Sequence, residues 1–229
     1  MFVFKDLLTI TGRVDHPFIA FTTDLAKDVS DCKFVAYADD AVLLVSSTTL
    51  KHLKRKIEVS VEKVQKWYTE NGFLINSDKT EFMIMKQRGT HYITVKTNGN
   101  DISIESKQYL KILGMKVDNQ LTWQNHIGQI KQRTTNAIRN IAWAGKVHSL
   151  PSRLTLVNAL VVAHYNYGDV IYDWCTANVA KDLDKNQSYA AKALLGKTKF
   201  SSSTEALQQL NWIPLHQRRQ VHKVFSYIK

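Results

Sequence analysis

The pattern of hydrophobic and polar positions changes character near Asp118. Before it, short apolar runs broken by turn residues read as strands. After it, apolar residues recur at spacings of three and four, the period of helices buried along one side. In the first half, Phe34-Val35-Ala36-Tyr37 and Ala41-Val42-Leu43-Leu44-Val45 predict two buried strands of a hairpin turning through Ala38-Asp39-Asp40. Ser46 to Thr49 offers N-caps to an amphipathic helix with the stripe Leu50, Leu53, Ile57, Val61, Val64 and Tyr68, stopped at Asn71-Gly72. Phe73 to Asn76 and Glu81 to Met85 predict two further strands, and Tyr92 to Lys96 with Ile102 to Glu105 a hairpin around Asn98-Gly99. Tyr109 to Val117 predicts one more strand, with Gly114 inside it marking a bulge or the close approach of another backbone. Residues 34–118 therefore predict a sheet packed on at least one helix, an α+β arrangement. Residues 1–33 are the least regular part; Phe18 to Phe21 fits either one helical turn or a short strand.

In the second half, Trp123, Ile127, Ile130, Thr134, Ala137, Ile138 and Ile141 predict a long helix. A second is expected to begin after Pro151-Ser152 and to run through Leu154, Val157, Leu160 and Val161. A third spans about Val179 to Leu195 and stops at Gly196. Ser201 to Thr204 caps a short helix, and Trp212-Ile213-Pro214-Leu215 leads into a last, basic one.

Composition adds a partner class. The chain has 229 residues, 44% of them hydrophobic, enough for one large domain or two small ones. A formal charge of +11 favours a polyanion, nucleic acid before an acidic membrane surface. Cys32 and Cys175 make neither a zinc motif nor a disulfide framework, so a reducing intracellular setting, nucleus or cytoplasm, is expected. No secretory leader is apparent at Met1 to Lys5, and the apolar stretch from Leu154 to Ala163 is too short to span a bilayer.

Candidate chemistry centres on Asp39 and Asp40. Two adjacent carboxylates between apolar strands are either ordinary turn residues or the ligands of a divalent cation that neutralises them; oxygen donors suit Mg²⁺. Lys51, Lys54, Arg55, Lys56, Lys63 and Lys66 lie off the apolar stripe of their helix, either as a solvated face or as a nucleic-acid contact. Lys131, Arg133, Arg139 and Lys146 decorate the long helix, with no acidic residue between Asn119 and His148.

The order of these pieces resembles the reverse transcriptases of non-LTR (LINE-like, jockey-like) retrotransposons. Thr23-Asp24-Leu25 is similar to the element preceding their catalytic hairpin, and Tyr37-Ala38-Asp39-Asp40 to the metal-binding motif. Trp67, Glu70-Asn71-Gly72-Phe73, Asn76 and Lys79-Thr80-Glu81-Phe82 resemble the next palm motif. Lys111-Ile112-Leu113-Gly114-Met115 resembles the primer-grip strand, and Leu121-Thr122-Trp123 with His126-Ile127 the start of the thumb. His164 to Gly168 and Trp212 to Leu215 with Arg218-Arg219 fit the region beyond.

The resemblance implies part of a right-hand polymerase. Residues 1–118 would be the later palm, an antiparallel sheet with a helix, and residues 119–229 a helical thumb with a C-terminal extension. It implies RNA-directed DNA synthesis on an RNA template and DNA primer from deoxynucleotides, with two Mg²⁺ ions in the complete enzyme. Asp39 would be the principal ligand and Asp40 a supporting one. Lys79 would protonate the leaving pyrophosphate, or is a surface turn lysine. Leu113 and Gly114 would grip the primer, and Lys131, Arg133, Arg139 and Lys146 would contact the RNA–DNA hybrid. The front departs from the family: 38 residues precede Asp39, without the upstream metal-binding aspartate in its motif, the Pro-Gln-Gly-Ser element or the fingers. The expectation is a truncated reverse transcriptase that is not competent alone. The alternatives are a non-catalytic nucleic-acid-binding module and a decaying relic.

Overall fold

The computed structural model describes residues 2–5, 32–37, 40–72, 79–97, 100–144 and 148–227. The chain divides into two compact units, Met1–Gln120 and Leu121–Lys229.

The first unit is mixed α and β. Strands β1 (Phe2–Lys5), β2 (Lys33–Tyr37), β3 (Asp40–Val45) and β4 (Glu81–Ile84) form one sheet in the order β2-β3-β1-β4. Every pairing in it is antiparallel. The period of two along β3 and β4 sorts their side chains to opposite faces. Ala41, Leu43 and Val45 join Phe82 and Ile84 against helix α1 (Leu50–Glu70), through Leu53, Ile57, Val61, Val64 and Tyr68. Ile93 and Val95 of hairpin β5 (Tyr92–Thr97) and β6 (Asn100–Glu105) complete this core. Val42, Leu44, Met83 and Met85 lie in a second cluster with Leu110, Ile112 and Val117 of hairpin β7 (Tyr109–Ile112) and β8 (Met115–Asp118). Each fully buried aliphatic side chain contributes about 1.5–3 kcal/mol. Thr49 caps α1 by accepting from the His52 amide at 3.3 Å, and Gly72, with φ of 77°, follows its end as expected.

Four expectations are corrected. The first hairpin is buried on one strand only: Val35 and Tyr37 of β2 are 51% and 68% exposed. The reason is position, because β2 pairs with β3 alone at the side of the sheet. Residues 1–33 contribute a strand after all, β1, lodged between β3 and β4. The strands among the described residues fall in three sheets instead of one. Tyr109 to Val117 is a tight hairpin, with Ile112 paired to Met115 across Leu113 and Gly114. Both turn residues have positive φ, 45° and 81°, the requirement of a two-residue turn that matches strand twist. The expected strand at Phe73 to Asn76, the segment Phe18 to Phe21, and the Asn98-Gly99 turn itself lie outside the described residues. Thr97 does pair with Asn100, which leaves a two-residue connection there.

A leucine in the left-handed region costs roughly 1–2 kcal/mol. Leu113→Asn is therefore expected to raise the unfolding free energy by about 1 kcal/mol in urea titrations. An unchanged midpoint would remove the argument for strain at this turn.

The second unit is helical. Its elements are α2 (Gln124–Trp143), α3 (Leu150–Val157), a π-helical turn (Asn158–Val162), α4 (Ala163–Asn166), α5 (Asp169–Tyr172), α6 (Ala177–Leu194), α7 (Ser203–Gln209) and α8 (Leu215–Tyr227). Helix α3 begins earlier than expected, because Ser149 is its cap and Pro151 sits in the first turn, where a missing N–H costs nothing. Helices α6 and α7 end alike. Lys197 N–H reaches back to the Lys192 carbonyl and Trp212 N–H to the Leu207 carbonyl, both at 2.9 Å, around left-handed Gly196 and Asn211. Buried Asn186 ties three helices together. It accepts from the Thr134 and Tyr165 hydroxyls, each at 2.6 Å, and donates to the Thr135 hydroxyl at 2.8 Å.

Candidate active site and nucleic-acid interface

Of the two aspartates, Asp40 is described, at the start of β3. Tyr37 pairs with Asp40, so Ala38 and Asp39 form the connection; both lie outside the described residues. Asp40 opens β3 and is half-buried. Lys79 is exposed, two residues before β4. The register brings these two positions to one end of the sheet, since Lys5 of β1 pairs with Val42 on one side and with Glu81 on the other. Asp40 and Lys79 thus flank the same end of β1. Glu81 at this end is engaged by Lys107. Leu113, 41% exposed, and Gly114 form the tip of the β7–β8 hairpin.

Among the described residues no three histidine, cysteine or carboxylate side chains gather as a metal ion requires.

On the second unit, Lys131, Arg133 and Arg139 are exposed, and Lys146 lies outside the described residues. At about 3.6 residues per turn, Lys131 and Arg133 fall on opposite flanks of the buried stripe and Arg139 on the outer side. The three surround the solvent side of α2 and do not line one face. The charge is also less one-signed than the local sequence suggested, because the fold sets Asp182 of α6 at 3.2 Å from the Lys131 ammonium.

A further charged cluster went unread in the sequence. Arg219 and Lys223 of α8 each lie 3.1 Å from Asp173, and His222 lies 2.6 Å from Asp169. Arg219 is 4% exposed, so this pairing locks α8 onto α5. The signal was available: carboxylates four apart match cations three and four apart, both at helical spacing.

Residues 16–117 match the reverse transcriptase (RNA-dependent DNA polymerase) family. The chain is similar to the reverse transcriptases of non-LTR retrotransposons, as the order of its motifs implied. One relative is the 115 kDa protein in the type-1 retrotransposable element R1DM of Drosophila melanogaster, 29% identical over 216 residues, which is 89% of this chain and 20% of that protein. Another is the RNA-directed DNA polymerase from mobile element jockey of the same fly, 26% identical over 116 residues, 51% of this chain and 12% of that protein. A third is a retrovirus-related Pol polyprotein from a type-1 retrotransposable element of Nasonia vitripennis, 28% identical over 110 residues, 46% of this chain and 29% of that protein. The chain therefore spans between about an eighth and a third of these relatives. No solved structure matches it. No helix among the described residues is long and apolar enough to cross a membrane.

Proposed function

We propose that this chain supplies the later palm and the thumb of an RNA-directed DNA polymerase that copies a retrotransposon RNA. The observation that carries the reading is the family match over residues 16–117, which contains Tyr37-Ala38-Asp39-Asp40 at a β-hairpin end with Lys79 at the same end of the sheet. In this reading Asp39 and Asp40 are metal ligands of the complete enzyme, Lys79 is the acid for the leaving pyrophosphate, and Leu113 and Gly114 hold the primer. The unit to Gln120 is palm and the unit from Leu121 is thumb. Lys131, Arg133, Arg139 and Lys146 touch the phosphates of an RNA–DNA hybrid inside the cell. The 229 residues alone do not polymerise, because two carboxylates on one turn make half of a metal clamp.

Hybrid binding tests the thumb assignment. Affinity for an RNA–DNA hybrid is expected to fall by orders of magnitude between low and physiological salt. Changing Lys131, Arg133 and Arg139 to Ala together is expected to lower low-salt affinity at least about tenfold and to flatten the salt slope by roughly two to three. Equal affinity in both proteins, or binding indifferent to salt, removes the assignment.

A further inference from the structure

The helical unit contains a cavity of about 340 Å³ between the π-helical turn and the loop that carries α7 into α8. Val162, Trp212 and Ile213 give it apolar walls, while Asn158, Asn211 and Arg218 bring polar side chains to it. The loop wall is held before any ligand arrives. Buried Gln187 donates its amide to the Ile213 carbonyl at 2.9 Å and accepts from the Leu215 N–H at 3.1 Å. Trp212 is fixed by its backbone bond to Leu207. The opposite wall is a π-helical turn, an arrangement that recurs at functional sites.

The polar groups contrast with their surroundings. Arg219 is buried against Asp173 and Gln187 is fully engaged. The neighbouring Arg218 guanidinium and the Asn158 and Asn211 amides make no side-chain hydrogen bond or ion pair to another described residue. One cavity thus presents an indole, two amides that both donate and accept, and a cation without a carboxylate.

We infer that this cavity holds one nucleotide of a single-stranded nucleic acid. The base stacks on Trp212, its edge meets Asn158 and Asn211, and a phosphate meets Arg218. An acidic peptide would use the arginine and leave the indole and amides idle. The chain's charge of +11 favours a polyanion. The inference rests on the polymerase reading for the class of its partner, and its test does not use catalysis.

The test measures binding of labelled single-stranded RNA and DNA dodecamers of one sequence, and of an RNA–DNA hybrid, to the full chain. Arg218→Gln, Trp212→Leu and Asn158→Asp are each expected to weaken single-strand binding about tenfold and to leave hybrid binding nearly unchanged, because hybrid bases are stacked on one another. Asn158→Asp keeps side-chain size on an exposed position, so it reads charge at the cavity without unfolding the protein. Tighter binding of RNA than DNA would assign the ligand to RNA, and equal binding to the nucleotide unit common to both. Unchanged single-strand affinity in Asn158→Asp and Arg218→Gln overturns the inference. So does an equal loss for single strand and hybrid, or competition by polyglutamate with the same dependence on these residues. If the triple Lys131, Arg133 and Arg139 variant binds hybrid like wild type while the cavity variants lose single strands, the thumb assignment fails and the cavity assignment stands.

Discussion

The 229 residues by themselves are expected to extend no primer on an RNA template, and a fusion adding fingers and early palm from a related element is expected to extend one. Positioning and charge stabilisation supply most of the rate in phosphoryl transfer. The sequence offers Asp39 and Asp40 on one turn and no upstream aspartate in its motif context. On the proposed reading the 229 residues bring neither a second carboxylate strand nor a nucleotide pocket, a loss of many powers of ten, below detection. The fusion junction matters. Joining near Asp24 discards Phe2–Lys5, the strand between β3 and β4, so the added segment must bring a strand into that place. Activity in a well-folded fusion is expected to vanish in Asp39→Asn. In Lys79→Ala it should fall by about 10²–10⁴, the usual share of a general acid. Extension by the isolated chain, free of contaminating polymerase, refutes the argument. Failure of every well-folded fusion favours the binding module or the relic.

Asn186→Leu is expected to cost the protein about 3 kcal/mol of unfolding free energy. Its amide serves three hydroxyls from two other helices. Thr134 has a second acceptor in the Ile130 carbonyl at 2.8 Å, so it loses least. The Tyr165 hydroxyl loses its Asn186 acceptor and keeps only the Thr134 hydroxyl beside it, and a buried donor left poorly paired costs about 1–3 kcal/mol. Burial holds the Tyr165 hydroxyl well above the ordinary phenol range, with the Thr134 hydrogen bond opposing, so ionisation offers no relief at neutral pH. Urea unfolding of the full chain measures the loss. Adding Tyr165→Phe should recover part of it, because the stranded hydroxyl is then gone. A loss under about 1 kcal/mol, or no recovery in the double variant, would show that Asn186 does not organise this core.

Periodicity carried most of the helices. The stripe on α1 and the breaks at Gly72 and Gly196 were legible because each depends on neighbours within a turn. Thr134 was correctly set on the buried stripe of α2, but its reason lies 52 residues away in Asn186. The same limit explains the misread charge of α2: Asp182 is 51 residues from Lys131. Strand burial failed for a related reason. An apolar run predicts a buried strand, yet whether β2 has a neighbour on both sides is a property of the sheet order. Gly114 inside an apolar run fits a bulge or the close approach of another backbone, whereas the observed turn needs Leu113 in the left-handed region as well, and leucine gives no hint of it. At the site, the motif marked Asp39, Asp40 and Lys79, and only strand register relates Asp40 to Lys79.

The place of Phe2–Lys5 between β3 and β4 has a consequence for synthesis. The strand leaves the ribosome before either of its partners, Val42 to Val45 on one side and Glu81 to Ile84 on the other. At about 5–20 residues per second, roughly 80 further residues take about 4–16 s to appear. For that interval Phe2-Val3-Phe4 is an apolar segment without its sheet, and β3, once made, has one side of its ladder open. Such segments are where chaperones bind and where nascent chains associate with one another. The four residues that complete the sheet are therefore also the ones that set how long the nascent chain needs protection.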